Sequence, residues 1–116
     1  MFAAVNVNQY FNRVHDVLAY SRAHQLSSIP GWHFLTGPVP MLRAVWHAYD
    51  VEVQAPRPDA DIVHTSVTYF IGPGGTERYV ATPMADHTSS GAAYLPASQI
   101  TAWGRGIALD VRTLIS

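Results

Sequence analysis

The chain has 116 residues, 48% of them hydrophobic, and a formal net charge of −1, which is typical of one small globular domain and unlike a basic nucleic-acid binder. Cysteine is absent, which excludes disulfides, thiol catalysis, iron–sulfur clusters and cysteine-based zinc sites within this chain. The opening MFAAVNVNQY lacks the basic and apolar regions of a signal peptide, and no apolar run reaches about 18 residues. We therefore predict no signal peptide and no transmembrane segment, and the compartment stays unknown.

The first quarter of the chain predicts a strand followed by a helix. The apolar run Phe2 to Val7 indicates a short buried strand. A helix is predicted from an N-cap at Asn12 to about Gln25, because apolar and polar positions alternate there with helical spacing. The apolar positions of this helix are Val14, Val17 and Leu18.

A second strand and helix follow the break at SSIPG. Trp32 to Thr36 reads as a short strand between glycines, and Pro38 stands near the first turn of the next helix. A brief alternating strand, Val51 to Val53, comes before a loop rich in proline. The wide apolar face of the second helix is formed by Val39, Leu42, Val45, Trp46 and Tyr49.

The segment HTSVTYFIGPGGTERY, His64 to Tyr79, predicts a strand, a tight turn and a returning strand. Its Gly72–Gly75 turn offers one fixed φ and residues free to take positive φ. A helix over Ala97 to Ile115 then closes the chain. Strand–helix–strand–helix followed by a hairpin and a helix predicts a three-layer α/β sandwich. The apolar stripe of the last helix is Ile100, Trp103, Ile107, Val111 and Leu114.

Four segments in register resemble the Sco/SenC copper-chaperone family, which has a thioredoxin fold. They are VNVNQYFNRVHDVLAYSRAHQL, WHFLTG, LRAVWHAYDVEV and HTSVTYFIGPGG, and together they cover nearly the whole chain. The family pattern of Leu-Thr-Gly, Tyr-x-Val, His-Ser/Thr and an Ile-Asp/Gly-Pro-x-Gly turn occurs here in the same order. The resemblance implies one partial thioredoxin-like domain over residues 1–116, an α/β/α sandwich whose first strand and helix are absent at the N-terminus.

The resemblance also implies a connection with copper delivery, cytochrome oxidase assembly or thiol redox chemistry, in proteins that are extracytoplasmic and often membrane-anchored. Family members bind copper through a CxxxC pair and a distant histidine, and His64 matches that histidine. Two thiolates and one imidazole suit copper, but the CxxxC region would lie before Met1. Without it we expect neither redox nor other enzyme activity and at most weak copper binding. Met84 and His87 are further candidate ligands, from a thioether and an imidazole.

The missing family strand would lie beside the strand Phe2 to Val7, so its absence predicts an unpaired strand edge. Truncation of a longer chain is the interpretation we favour; a domain-swapped or edge-paired oligomer and a rearranged sheet are the alternatives. The competing function is therefore a non-catalytic protein-interaction or homo-oligomerising module. From spacing alone, an ordinary histidine at a strand start, satisfied by local hydrogen bonds, is the favoured interpretation of His64. No G-x-S-x-G elbow or phosphate loop points to other chemistry.

Overall fold

The computed structural model describes residues 1–83, 86–87, 89–90 and 93–116. Over these residues the chain is a mixed α/β protein with three α-helices and four two-stranded sheets, which confirms the predicted α/β class. It divides into two compact units, Met1–Thr65 and Ser66–Ser116. The elements are β1 (Phe2–Val5), α1 (Val14–Ala23), β2 (Trp32–Leu35), α2 (Val39–Ala48), β3 (Val53–Gln54), β4 (Val63–His64), β5 (Thr68–Ile71), β6 (Glu77–Ala81), β7 (Asp86–His87), β8 (Ala93–Tyr94) and α3 (Ala97–Ile115).

In the first unit, β1 and β2 pair in parallel, with Phe2 opposite Trp32. Helix α1 makes the crossover between them, as the sequence predicts. The Phe2 amide donates to the Gly31 carbonyl at 2.8 Å and the Asn6 amide donates to the Leu35 carbonyl at 2.9 Å. Gly31 has φ +74°, a conformation that residues other than glycine rarely adopt. Glycine is therefore favoured at this position, directly before β2.

Helix α1 begins one residue later than the sequence predicts. Arg13 takes the N-cap position, and its backbone amide donates to the Asp16 carboxylate at 3.0 Å. The prediction of Asn12 as the N-cap is wrong, because its side-chain amide donates instead to the Gly37 carbonyl at 3.0 Å. Asn12 thus links the start of α1 to the loop after β2.

The predicted apolar side of α1 is only partly buried. Val17 is 5% exposed and Ser21 3%, whereas Val14 is 66% and Leu18 46% exposed. The buried stripe of α1 runs through Val17 and Ser21, and the Trp32 indole donates to the Ser21 hydroxyl at 3.2 Å. The buried stripe therefore includes a polar residue, whereas Val14 and Leu18 of the predicted apolar side are exposed.

The β1–β2 sheet has one covered face and one exposed face. On the covered face the Tyr20 ring of α1 meets the Phe34 ring edge-on, with centroids 5.6 Å apart. Parallel sheets are usually covered on both faces, so the second face is unusual in being exposed. This exposed face consists of the side chains of Ala3, Val5, His33 and Leu35.

Helix α2 confirms the predicted helix and the central part of its apolar stripe. Leu42 is 4% and Trp46 7% exposed, whereas Tyr49 at the end of the stripe is 43% exposed. The Trp46 indole donates to the backbone carbonyl of Asn6 at 2.9 Å. This hydrogen bond ties α2 to the residue that follows β1.

Asn6 is a buried polar residue of the first unit, with 5% of its surface exposed. Its side-chain amide donates to the Phe11 carbonyl at 2.9 Å and lies 3.1 Å from the Thr36 hydroxyl oxygen. Its side-chain oxygen accepts the Asn8 amide at 2.9 Å. Asn6 therefore ends β1 at Val5, two residues before the predicted limit at Val7, and links the following turn to β2.

In the second unit, β5 and β6 form the antiparallel hairpin that the sequence predicts. Gly75, with φ +78°, closes the turn by donating its amide to the Gly72 carbonyl at 2.9 Å. Phe70 is 5% exposed and its ring lies edge-on to Tyr79. Helix α3 packs on β5, which confirms the expected pairing of the last helix with a sheet.

The described strands pair two by two, so the larger central sheet of a sandwich is not among the described residues. The second predicted crossover, through α2, leads to an antiparallel pair, because β3 pairs with β4 and not with β2. The thioredoxin-like arrangement stays a prediction.

Candidate functional site

His64 lies at the end of β4, opposite Val53 of β3. The Thr65 amide donates to the Glu52 carbonyl at 3.0 Å, and the Glu52 amide donates to the Thr65 hydroxyl at 3.1 Å. These two bonds hold Thr65, the residue after His64, to Glu52, the residue before β3. The prediction that His64 opens the hairpin is wrong in its details: β4 ends at His64, and the hairpin strand β5 begins at Thr68.

The His64 ring is exposed and its tautomer is set by a local hydrogen bond. Nδ1–H donates to the Thr65 carbonyl, with 2.9 Å between nitrogen and oxygen. A carbonyl oxygen only accepts, so the proton lies on Nδ1 and the neutral ring keeps its lone pair on Nε2. Metal-bound histidines commonly have this arrangement, in which the second ring nitrogen donates to a carbonyl. His64 is thus chemically suited to bind one metal ion through Nε2.

The predicted additional ligands are not placed beside His64. Met84 lies outside the described residues, and for His87 the structure describes the backbone alone, as part of β7 opposite Ala93. Among the described residues no three histidine, aspartate or glutamate side chains come together as a metal site. A single exposed imidazole binds metal weakly, because tight sites need three or four protein ligands.

The free edge of β1 is the second candidate site. In a parallel pair every second residue of a strand bonds to its neighbour. Phe2 and Asn6 donate toward β2, so Ala3 and Val5 direct their amide and carbonyl groups to the opposite edge. β1 has no second strand neighbour in the part of the chain that the structure describes. We call the backbone groups of Ala3 and Val5 the β1 edge.

The β1 edge lacks three of the features by which proteins prevent edge pairing. Such features are charged side chains, prolines and bulges on the edge strand. β1 reads FAAV and β2 reads WHFL, and their pairing is regular. The sequence predicted an unpaired edge here through the family resemblance, and the structure shows which backbone groups form it.

No helix in the described part of the chain has the length and hydrophobicity needed to cross a bilayer. Comparison of the sequence with protein-family models, and of the chain with curated proteins and with solved structures, finds no match.

Proposed function

We propose that this protein is a homo-oligomerising module in which the β1 edge pairs with the β1 edge of a second copy. The observation that carries this proposal is the pair of outward-facing residues, Ala3 and Val5, on a strand without charge, proline or bulge. Their four backbone groups are a ready template for strand addition.

Antiparallel pairing about a two-fold axis at Ala4 would satisfy all four groups of each copy. Ala3 would face Val5 of the second copy in a hydrogen-bonded pair, and Val5 would face Ala3 of the second copy. Ala4 would then face Ala4 of the second copy across the axis, where two small side chains allow close approach. The result is a four-stranded sheet with four new hydrogen bonds, each contributing about 0.5 to 1.5 kcal/mol net.

A second copy is the partner that the charges of this surface favour. The β1–β2 pair contains no acidic or basic residue other than His33, and the chain has a net charge of only −1. Two identical edges therefore meet without like-charge repulsion. Phe2 and Val5 are 43% and 37% exposed, so pairing would also remove apolar surface from water.

Replacing Ala3 by proline tests this proposal. The Ala3 amide points away from β2, so proline there preserves the β1–β2 ladder and removes one donor from the free edge. We expect the wild-type chain to show an average mass that rises with concentration above 12.7 kDa, and Ala3→Pro to stay monomeric. Sedimentation equilibrium measures both.

The matched control is Ala3→Thr, which keeps the amide and favours a strand; it should associate like the wild type. Unchanged NMR signals of the Trp32 and Trp46 indoles would show that Ala3→Pro keeps the fold of the first unit. A wild-type chain that remains monomeric at all concentrations, or an Ala3→Pro variant that associates equally well, contradicts the proposal.

Weak copper binding at His64, as a remnant of a Sco/SenC-like copper-delivery protein with a thioredoxin-like fold, is the second candidate function. It is supported by the Nδ1–H bond to the Thr65 carbonyl, which leaves Nε2 for a metal. The β1–α1–β2 crossover also agrees with a thioredoxin-like sandwich. Copper would be cargo, bound and passed on by ligand exchange.

A copper titration of the wild-type chain and His64→Ala tests this second function. We expect binding weaker than about 10⁻⁶ M, or roughly 8 kcal/mol, because one imidazole is available. His64→Ala should lose the copper-induced broadening of NMR signals from Val63 to Thr65. His33→Ala is the control, since His33 is also exposed on a strand. Broadening that His64→Ala leaves unchanged would remove His64 as a ligand, and binding tighter than 10⁻⁶ M would show that more ligands take part.

A further inference from the structure

A concavity of about 520 Å³ lies on the first unit, lined by residues of α2 and of the segment that contains β3. Its volume falls in the range of about 300 to 1,000 Å³ that small-molecule sites occupy. No motif in the sequence points to it, because its walls come from three separate stretches of the chain. Its lining includes Gln9, Arg43, Trp46, Val53, Gln54 and Pro56.

Arg43 brings a positive charge into this concavity, held in place by neutral groups. Its Nη2 donates to the Gln9 side-chain oxygen at 3.2 Å. The Gln9 side-chain nitrogen in turn donates to the Ala55 carbonyl at 3.1 Å. The Tyr10 hydroxyl donates to the same carbonyl at 2.7 Å, so this carbonyl anchors the segment from Gln9 to Tyr10. Gln9 is therefore a positioning residue that orients the guanidinium.

The charge of Arg43 has no carboxylate partner in the part of the chain that the structure describes. Both described ion pairs lie elsewhere, at Asp16 and Asp59, and no carboxylate in the described part of the chain is within 4 Å of the Arg43 side-chain nitrogens. A guanidinium has five N–H donors, and Gln9 accepts from one of its nitrogens. The remaining donors suit a carboxylate, which binds guanidinium through two parallel hydrogen bonds.

The other wall of the concavity is apolar. Trp46 lines it, and its only N–H donor is already committed to the Asn6 carbonyl at 2.9 Å. Trp46 is 7% exposed, so its indole offers a ligand a small area of ring surface and no polar group. Val53 and Pro56 extend this surface. One fixed cation beside an apolar wall matches a ligand with a single anionic group and an apolar body.

We propose that this concavity binds a small carboxylic acid, with the carboxylate on Arg43 and an apolar body against Trp46, Val53 and Pro56. A polyanion such as phosphate fits less well, because the described lining holds one cationic side chain and phosphate sites usually offer several donors. This site is separate from the β1 edge, so it does not depend on the proposed pairing of two copies.

A titration with benzoate, followed through the indole and amide NMR signals of the full chain, tests the proposal. We expect saturable shifts of the Trp46 indole and of the amides of Val53 and Gln54. Arg43→Gln should weaken benzoate binding at least tenfold. Arg22→Gln, which removes another exposed arginine of the same unit, should bind benzoate like the wild type.

Two reference ligands separate the parts of the proposal. Benzyl alcohol has the same ring without the charge, and inorganic phosphate has charge without the ring. Both should bind at least tenfold more weakly than benzoate, as measured by the Trp46 indole signal. Equal binding of benzyl alcohol would show that Arg43 does not select the ligand. Equal binding of phosphate would show that the apolar wall is not used. Either result, absence of saturable benzoate shifts, or an Arg43→Gln variant that binds like the wild type, overturns the proposal.

Discussion

Replacing Asn6 by leucine is expected to lower the free energy of unfolding of the first unit by about 3 kcal/mol. The two side chains are similar in size, so the loss comes from hydrogen bonds. The Phe11 carbonyl and the Asn8 amide would lose their partner at 2.9 Å each, and the Thr36 hydroxyl would lose a contact at 3.1 Å. Leaving a buried polar group unpaired costs about 1 to 3 kcal/mol.

Urea unfolding followed by the indole NMR signals of Trp32 and Trp46 measures this effect in the first unit alone. Asn12→Leu is the matched control, because Asn12 is half-buried and its side-chain amide donates one bond, to the Gly37 carbonyl. It should cost about 1 kcal/mol. Equal losses for Asn6→Leu and Asn12→Leu would show that the Asn6 network stabilises the first unit no more than the one side-chain bond of Asn12 does.

Truncating Trp46 to alanine is expected to destabilise the first unit by about 3 to 5 kcal/mol, the usual cost of removing a large buried aromatic side chain. Trp46 is 7% exposed and, with Leu42, supplies the buried part of α2. Trp46→Phe keeps most of the apolar surface and loses the bond to the Asn6 carbonyl at 2.9 Å. It should therefore cost about 1 to 2 kcal/mol.

The same urea experiment, read from the Trp32 indole and the amides of β1, measures both substitutions. Trp32→Phe, read from the Trp46 indole, is the control, since Trp32 donates to the rotatable Ser21 hydroxyl at 3.2 Å. A hydroxyl can turn toward another partner, whereas the Asn6 carbonyl is fixed in the backbone. If Trp46→Phe is as stable as the wild type, the Asn6 carbonyl hydrogen-bonds to water in the variant. The bond between Trp46 and Asn6 then does not contribute to the free energy of unfolding.

The helices and the hairpin were predictable because their signals are local. The apolar spacing of Leu42 and Trp46 and the glycines of the turn after β5 are readable within a few residues. Strands β3 and β4 have two residues each, too few for a period of two to stand out. The sequence pattern therefore predicts a hairpin that begins at His64, whereas β4 ends at His64 and the hairpin strand β5 begins at Thr68.

The burial of side chains and the candidate sites were less predictable, since both depend on contacts between distant residues. Val14 is exposed, whereas Ser21, two turns later on the same side of α1, is buried beside Trp32. Gln9 and Arg43 meet across 34 positions of sequence, and no local pattern marks either. The family resemblance predicts His64 as a candidate copper ligand. Its exposed ring and its bond to the Thr65 carbonyl are visible only in the structure.

The two kinds of strand pairing set different demands on the order of folding. In the hairpin, Ile71 pairs with Glu77, so only a short turn must close, which takes microseconds in typical hairpins. In the parallel pair, Phe2 finds Trp32 only after the intervening chain has been brought round, at a larger entropic cost. β1 therefore has no strand neighbour until the chain between it and β2 has closed. During that interval both of its edges, and not one, are open to another chain.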